Sequence, residues 1–390
     1  MKTRWQRKPL SSFVRQRAEA VLLEDDEEYQ RVTVRLKSRG IEPRDRIQGS
    51  QVKTKKQYRV RGHDLLVAEI DAKVGGYGIV PPDLDGAVVS GHYFAYEIDE
   101  TQLDRRFLGF WLKTDDPLSQ VQPFVRGALN YAAVRPYDFA RIEIPLAPRP
   151  EQERIADILE HALRRIAEAR QLQESATDES RQFLAELAIR SDLSEAAKTK
   201  AGWRRRRLSE VLTEKNEAVR LEDGTEYPTI GVYSFGRGII RKPPITKESI
   251  KSPVLYRVKA GQFLYGRLGG YEGAFAFVPL WADGALVSGE FPTFDCSCDV
   301  LPEYLFAYFQ SQRVWESMRE QCRGLAGRRI RLRESAFLAH ELWLPPVSYQ
   351  QKVKTAFESL ESAATLQRDF PAELEALQSS LLDQAFSGNL

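Results

Sequence analysis

The heptapeptide Asp85-Gly-Ala-Val-Val-Ser-Gly91 returns 198 residues later as Asp283-Gly-Ala-Leu-Val-Ser-Gly289. The same offset relates further segments along the chain: Trp5 to Trp203, Leu10 to Leu208, Tyr29 to Tyr227, Arg39-Gly-Ile41 to Arg237-Gly-Ile239, Tyr58-Arg-Val60 to Tyr256-Arg-Val258, and Val80-Pro81 to Val278-Pro279. A slip of one residue pairs Arg126-Gly127 with Arg323-Gly324, and the register returns at Gln152 and Gln350. Because one recurring offset indicates a repeated structural unit, the sequence predicts two copies of one domain.

Each copy begins with about 145 residues that mix strand and helix signals. The segments Asp64–Ile70 and Gln262–Leu268 are apolar runs bounded by turn residues, which is typical of strands. Arg106–Leu112 and Glu303–Phe309 have the spacing of amphipathic helices. We therefore expect an α+β protein with two mixed α/β domains.

A long helix is predicted to close each copy, because apolar residues recur at heptad-like spacing. The stripe contains Ile155, Leu159, Ile166, Phe183 and Leu187 in the first copy and Val353, Phe357, Leu360, Leu377 and Leu381 in the second. About 40 residues at a rise of 1.5 Å give a rod of roughly 60 Å. The other copy's helix is the natural partner for each stripe, and packing against the globular parts is the alternative. Pro371 should kink the second helix or split it.

These patterns predict four segments: a globular domain at 1–148, a central helix at 149–199, a second globular domain at 200–346 and a C-terminal helix at 347–390. With 42% hydrophobic residues, the 390-residue chain has enough apolar material for more than one core. It lacks an apolar run long enough for a bilayer, and its basic N-terminus is not followed by an apolar secretory region, so no membrane association is expected.

The three cysteines, Cys296, Cys298 and Cys322, do not make a disulfide framework, which favours a reducing cytoplasm. The 57 basic and 55 acidic residues nearly cancel, leaving a net charge of +2. A nucleic-acid-binding role would therefore require positive charge to be gathered on one surface.

Four segments resemble those of one protein family. Two of them are Ile144-Pro-Leu-Ala-Pro-Arg-Pro-Glu-Gln-Glu-Arg-Ile155 and the more divergent Leu344-Pro-Pro-Val-Ser-Tyr-Gln-Gln-Lys-Val353. They are similar to the junction of a target recognition domain with a conserved helix in type I restriction-modification specificity subunits. The end, Leu381-Leu-Asp-Gln-Ala-Phe-Ser-Gly-Asn-Leu390, is similar to the family's last turn, and Trp203–Leu208 resembles the start of a recognition domain. The second junction departs from the first, with Tyr349 where the first has Glu151.

The resemblance implies two target recognition domains in a pseudo-twofold arrangement, separated by two long antiparallel helices that form a coiled coil. Each domain would recognise one half of a bipartite, asymmetric site in double-stranded DNA. The helices would dock two methyltransferase subunits that use S-adenosylmethionine, together with a restriction subunit that uses ATP and Mg²⁺. The specificity subunit itself would catalyse nothing and bind no cofactor.

A recognition domain needs phosphate contacts and a few base contacts, and Arg and Asn suit guanine and adenine. The candidates in the first copy are Arg44, Arg46, Lys53, Lys55, Lys56, Arg126, Asn130 and Tyr131; in the second they are Arg237, Arg241, Lys242, Arg323, Arg328, Arg329 and Arg331. The alternative for each charged run is a solvated face. The run Arg204–Arg207 suits phosphates or acidic helix residues equally well.

Two glycine-containing features allow a functional and a structural interpretation. The turns Gly75-Gly-Tyr-Gly78 and Leu268-Gly-Gly-Tyr-Glu-Gly273 could let the backbone approach DNA, but tight turns are the commoner use of such glycines. Val89-Ser-Gly91 and Val287-Ser-Gly289 are interpreted as a strand and turn that belong to the fold.

Other classes of protein have weaker support. Asp71-Ala-Lys73 with Asp45 could form a nuclease site, but the second copy has Gly269 and Tyr271 in place of Asp71 and Lys73. No methyltransferase tetrapeptide is present, and the spacing Cys296-x-Cys298 is too short for a zinc knuckle. A protein-binding scaffold that dimerises through its helices also remains. DNA affinity that falls with rising salt concentration would distinguish a DNA-specificity subunit from that scaffold.

Overall fold

A computed structural model of the chain describes residues 5–126, 132–250, 254–319 and 331–390. Packing divides the chain into two compact units. The first unit contains residues 1–170 and 369–390, and the second contains residues 171–368. Each unit therefore combines one globular part with parts of the helical segments.

The first unit contains eleven strands among the described residues: β1 Arg7–Pro9, β2 Val14–Arg17, β3 Glu19–Leu22, β4 Glu28–Arg35, β5 Gly40–Gln48, β6 Lys56–Arg59, β7 Leu65–Ala68, β8 Tyr77–Ile79, β9 Val88–Val89, β10 Tyr93–Ile98 and β11 Glu143–Pro145. Its short helices are α1 Arg105–Trp111, α2 Asp115–Val121 and α3 Pro136–Phe139. The strands form a five-stranded sheet β3-β6-β9-β4-β5, a four-stranded sheet β2-β10-β7-β8 and the pair β1-β11.

The second unit repeats this inventory with strands β12 Arg204–Arg207, β13 Leu212–Glu214, β14 Glu217–Val219, β15 Tyr227–Tyr233, β16 Gly238–Ile245, β17 Leu255–Arg257, β18 Phe263–Tyr265, β19 Phe275–Phe277, β20 Leu286–Val287, β21 Thr293–Cys296 and β22 Glu341–Leu344. The helices outside the long segments are α5 Glu195–Lys200, α6 Leu208–Val211, α7 Pro302–Tyr308, α8 Gln312–Arg319 and α9 Glu334–Leu338. Its sheets are β14-β17-β20-β15-β16, β13-β21-β18-β19 and β12-β22.

Strand register confirms the repeat residue by residue. Tyr58 pairs with Val89 in the first unit, and Tyr256 pairs with Val287 in the second. The central strand β9, which carries the start of the Val89-Ser-Gly91 motif, makes a parallel contact with β4, and β20 makes the same contact with β15. A short central strand with neighbours on both sides determines the order of the sheet, so this motif belongs to the fold, as predicted.

The two cores use equivalent positions but different side chains. Leu65 and Val67 on β7 are fully buried in the first unit, where the second unit has Phe263 and Tyr265 on β18. Phe337 lies within 4.5 Å of the Tyr265 ring, centroid to centroid. Aromatic side chains bury more area each than leucine or valine and favour offset or edge contacts. Both cores mix rings with aliphatic groups, and the second has rings at two positions where the first has aliphatic side chains.

The long helices are α4 Arg149–Ile189, α10 Val347–Leu366 and α11 Phe370–Ser387. Helix α4 is continuous over 41 residues, close to the predicted length. The C-terminal segment is split, and Pro371 lies in the first turn of α11. Proline lacks the N–H that an interior helical position must donate, but the first turn does not need it. The expectation that Pro371 divides this helix is confirmed.

Packing shows where the helix ends belong. In the first unit, Ile155 and Leu159 of α4 share the core with Leu382 and Phe386 of α11. The rings of Phe386 and Phe107 lie 4.9 Å apart. The Arg154 guanidinium donates to the Leu390 carbonyl oxygen at 2.7 Å, which places the start of α4 beside the end of α11. The two helices therefore run antiparallel within this unit.

In the second unit, the C-terminal end of α4 packs beside the N-terminal end of α10. Leu184 and Ala188, near the end of α4, are buried in the core with Val353 of α10. The hydroxyl of Tyr349 donates to the Leu187 carbonyl oxygen at 3.0 Å, so the end of α4 lies beside the start of α10. Tyr349 was the departure in the second junction motif, and its ring also packs on Trp203 at 5.3 Å.

The predicted apolar stripe differs in burial along its length. Ile155, Leu159, Ile166 and Val353 are buried, and Leu187, Phe357, Leu360 and Leu381 pack at the edges of the two cores. Phe183 and Leu377 are 54% and 48% exposed. The role of these side chains in an interface with another subunit stays a prediction.

A buried glutamine joins each long helix to its globular part. Gln152 accepts from the Asp104 backbone N–H at 2.8 Å and donates to the carbonyls of Gln102 and Ala147. Gln350 makes the same three bonds with the backbone of Leu301, Asp299 and Pro345. Both side chains have 0% exposure, and the Asp104 N–H and the carbonyls of Ala147 and Pro345 that they bind are buried, so each glutamine satisfies backbone groups shielded from water. This explains in physical terms why both junction motifs contain glutamine at this position.

Candidate nucleic-acid interface

A basic groove of about 680 Å³ lies on the first unit beside the β4–β5 hairpin. Its lining includes four basic side chains, Arg31, Arg44, Lys53 and Lys56, together with His92, and no described carboxylate lines it. Tyr58 and Tyr93 contribute aromatic rings to the same lining. A cationic groove with aromatic walls suits a phosphate backbone with bases beside it.

Ion pairs separate the predicted cations of the first unit into two groups. Arg46 lies 3.6 Å from Glu28, and the Lys55 ammonium binds Asp25. Arg44, Lys53 and Lys56 are exposed and form no close ion pair with the described part of the chain. Free cations can neutralise phosphates without first giving up a protein carboxylate, so these three are the stronger candidates for phosphate contacts.

Arg31 was missed from sequence, although it lines the same groove. Its guanidinium binds the Asp45 carboxylate at 2.6 Å across β4 and β5. This hydrogen bond holds the pKa of Asp45 below its usual range and keeps the pair charged. Arg31 is consequently a partly neutralised member of the groove.

The predicted loop of the first unit begins at Arg126, whose side chain is 74% exposed and lies 3.8 Å from Asp138. Its backbone exchanges hydrogen bonds of 3.0 and 2.9 Å with Ala133. Asn130 and Tyr131 lie outside the described residues. Arg126 is thus presented to solvent at a position fixed by the backbone.

The predicted cations of the second unit stack on aromatic rings. Arg237 lies 4.6 Å from the centroid of Tyr233, Arg241 lies 4.6 Å from that of Trp281, and Lys242 lies 5.4 Å from that of Phe291. Such stacking orders a guanidinium while leaving its edge free to donate hydrogen bonds. Trp281 was missed in the sequence, where only the cations were noted.

Arg331 is the described member of the second predicted loop. It is exposed, and its guanidinium binds Glu290 at 2.7 Å. Arg323, Arg328 and Arg329 lie outside the described residues.

The four-arginine run of β12 is largely engaged with carboxylates. Arg205 lies 3.4 Å from Glu195, Arg206 binds Glu210 at 2.8 Å, and Arg207 lies 3.2 Å from Glu341. Of the two interpretations of this run, the ion pairs favour the one with acidic partners.

Two residues of the alternative nuclease site are engaged elsewhere. Lys73 donates to the Ala132 carbonyl at 3.1 Å, while Asp45 binds Arg31. Within the described ranges, no three His, Cys, Asp or Glu side chains are grouped in a way that could hold a metal ion. Burial raises the pKa of the Cys296 thiol to about 12.

The glycine-rich turns serve the fold. Gly75 and Gly273 have φ of +80° and +79° and end equivalent 3₁₀ turns. A Cβ on Gly75 would lie 2.9 Å from the Ser38 backbone nitrogen, and one on Gly273 would lie 2.4 Å from the Trp315 ring. Both positions therefore require glycine because the protein itself fills the adjacent space.

The structure is a duplicated fold whose two units each carry exposed cations beside aromatic rings. Residues 11–176 match the family model described as the type I restriction modification DNA specificity domain. The matched residues cover most of the first unit, and the second unit repeats its strand order.

Solved structures of similar fold include one titled "Structural basis underlying complex assembly and conformational transition of the type I R-M system", with a TM-score of 0.63, 18% identity and coverage of 99% of this chain and 98% of that chain. The HsdS subunit from Thermoanaerobacter tengcongensis is 20% identical, with a TM-score of 0.49 and coverage of 99% and 97%. The S subunit from M. genitalium is 13% identical, with a TM-score of 0.46 and coverage of 98% and 96%. No curated protein matches the chain. In the part of the chain that the structure describes, no helix has the length and apolar character needed to cross a membrane.

Proposed function

We propose that this chain recognises a bipartite, asymmetric sequence in double-stranded DNA, with one half-site for each unit. The observation that supports this most directly is one scaffold carrying two different sets of exposed residues. Arg44 and Tyr93 in the first unit stand at the positions of Lys242 and Phe291 in the second, so a cation and an aromatic ring are kept. Other exposed positions differ, which allows the half-sites to differ, unlike those of a symmetric dimer.

The partners proposed are two N6-adenine methyltransferase subunits and a restriction subunit. S-adenosylmethionine would be bound by the methyltransferases, and ATP and Mg²⁺ by the restriction subunit, while this chain does no chemistry and acts in the cytoplasm. Exposed apolar side chains on the long helices support a docking role: Leu172 is 70% exposed, Phe183 54% and Leu366 89%. Large apolar side chains exposed in this way mark surfaces that a partner subunit can cover.

Mapping methylated adenines genome-wide tests this proposal. A split, asymmetric motif is expected in cells that carry the gene and its methyltransferase partner, and it should vanish when this gene alone is deleted. Re-expression of the full chain should restore the same motif. An unchanged pattern of adenine methylation after deletion, with the partner genes still expressed, would overturn the proposal.

The three free cations of the basic groove should account for part of the salt dependence of DNA binding. Arg44→Gln/Lys53→Gln/Lys56→Gln should reduce the slope of log K against log salt by about 3, since each lost phosphate contact removes about one released counterion. The double variant Arg46→Gln/Lys55→Gln is the matched control, because those cations are already paired with Glu28 and Asp25. Equal losses per residue in the two variants would show that the groove is not a phosphate site.

A further inference from the structure

A carboxylate lies at the edge of the cationic surface of the first unit. Glu69 follows β7, and its side chain is 12% exposed. It lines a cavity of about 260 Å³ together with Arg17, Arg59 and Arg135. This cavity shares Tyr58, Gly91 and Tyr93 with the basic groove, and Glu69 is the one carboxylate among the described residues that line either.

Two exposed side chains flank this carboxylate. The Arg135 guanidinium donates to Glu69, and its side chain is 69% exposed. The Nδ1 of His92 lies 3.7 Å from Glu69, and this side chain, which also lines the basic groove, is 72% exposed. The carboxylate is therefore fixed between groups that face solvent.

The backbone around Glu69 is the same in both units. The Glu69 N–H donates to the His92 carbonyl at 2.8 Å, and the Arg267 N–H donates to the Glu290 carbonyl at 2.9 Å. The Glu69 carbonyl accepts from the Val134 N–H at 2.9 Å, and that of Arg267 accepts from the Leu332 N–H at 2.9 Å. Residues 69 and 267 thus occupy one structural position at the base of the predicted DNA-contact loops.

The side chains at this position have opposite charges. Arg267 takes the place of Glu69, and its ion-pair partner is Glu334, one residue beyond the equivalent of Arg135. Glu290 takes the place of His92 and binds Arg331 at 2.7 Å. The backbone hydrogen bonds at this position are identical in the two units. An ion pair that served only to hold the backbone would therefore not need the acid and the base exchanged between the units.

We propose that residues 69 and 267 are base-recognition residues of the two units. This inference rests on the proposed function. Glu69 would accept a hydrogen bond from an exocyclic amine, cytosine N4 or adenine N6, in the first half-site, while Arg267 would donate to guanine in the second. DNA phosphates repel a carboxylate. A carboxylate held within a cationic DNA-binding surface therefore interacts favourably with DNA only where it meets the amine of a base. Arg135 and His92 act as positioning residues.

The test measures the methylation motif and the DNA affinity of the intact complex carrying Glu69→Gln. Preference for one base pair of the first half-site should fall roughly 5- to 150-fold, because a good side chain–base pair contributes about that discrimination. The second half-site should be unchanged, and affinity for non-specific DNA should not fall, since a negative charge is removed. Glu97→Gln is the matched control, because Glu97 also pairs with two arginines, Arg15 and Arg17, but lines neither cavity.

A second variant tests the same role of Glu69 if Glu69→Gln destabilises the first unit. Glu69→Arg/Arg135→Glu retains an ion pair with the polarity found in the second unit, so thermal unfolding should match the wild type. A changed base preference at one position is expected. A wild-type motif in both variants would overturn the inference, as would loss of methylation at all sites by a folded chain. Failure of the proposed function is distinguishable, because the wild-type chain would then produce no split motif.

Discussion

Replacing Gln152 by leucine is expected to lower the free energy of unfolding of the first unit by about 2 to 6 kcal/mol. The substitution removes the partner of two buried backbone groups, the N–H of Asp104 and the carbonyl of Ala147, and of the partly buried carbonyl of Gln102. A buried polar group that loses its hydrogen bond costs about 1–3 kcal/mol. Leucine cannot offset this loss by new burial, because the glutamine it replaces is already fully buried.

Urea unfolding of the full chain, followed by tryptophan fluorescence, measures this loss. Gln171→Leu is the matched control, since Gln171 is an exposed residue of the same helix and should change stability by about 0.5 kcal/mol at most. Gln350→Leu should repeat the effect in the second unit through Leu301, Asp299 and Pro345. Equal stability of the Gln152 and Gln171 variants would show that the glutamine does not hold the helix to the domain.

Gly273→Ala is expected to destabilise the second unit by about 3 kcal/mol. The backbone conformation at φ +79° costs an L-residue about 1–2 kcal/mol. The new Cβ would also lie 2.4 Å from the Trp315 ring, and overpacking of this kind adds about 1–3 kcal/mol. Trp315 cannot move aside freely, because its Nε1 donates to the Phe309 carbonyl at 2.6 Å.

Gly224→Ala separates the two contributions. Gly224 has φ +73° in the same unit, but no atom lies within 4 Å of the Cβ it would acquire. Its alanine variant should therefore show the backbone cost alone, about 1–2 kcal/mol. Thermal or urea unfolding of both variants measures the difference, and equal losses would contradict the predicted contact with Trp315.

The repeat could be predicted from sequence because identical turn residues impose identical backbone geometry. Gly86 and Gly284 have φ of +77° and +76° and follow the same aspartate in each copy. The long helices were also predictable, since heptad spacing and the position of Pro371 are local properties of the chain. Turns and helices of this kind depend on residues close together in the chain, so they can be predicted from the sequence.

The candidate interface was only partly predictable for the opposite reason. Lys53 and Lys55 look alike in a basic run, yet Lys53 is free among the described residues while Lys55 binds Asp25. Glu69 was missed because its importance depends on Arg135 and His92, which are distant in sequence. A comparison of charges at equivalent repeat positions could have found it, since Glu69 corresponds to Arg267.

The sequence by itself determined that the chain is a duplication, where its long helices lie, and which family it resembles. Tertiary structure alone decided which cations are free of ion pairs, which carboxylate lies in the cavity beside the groove, and which core each helix end enters. Leu382 and Phe386 close the core of the first unit although they end the second copy of the repeat. Burial and ion pairing depend on contacts between distant segments, and those contacts exist only once the chain has folded.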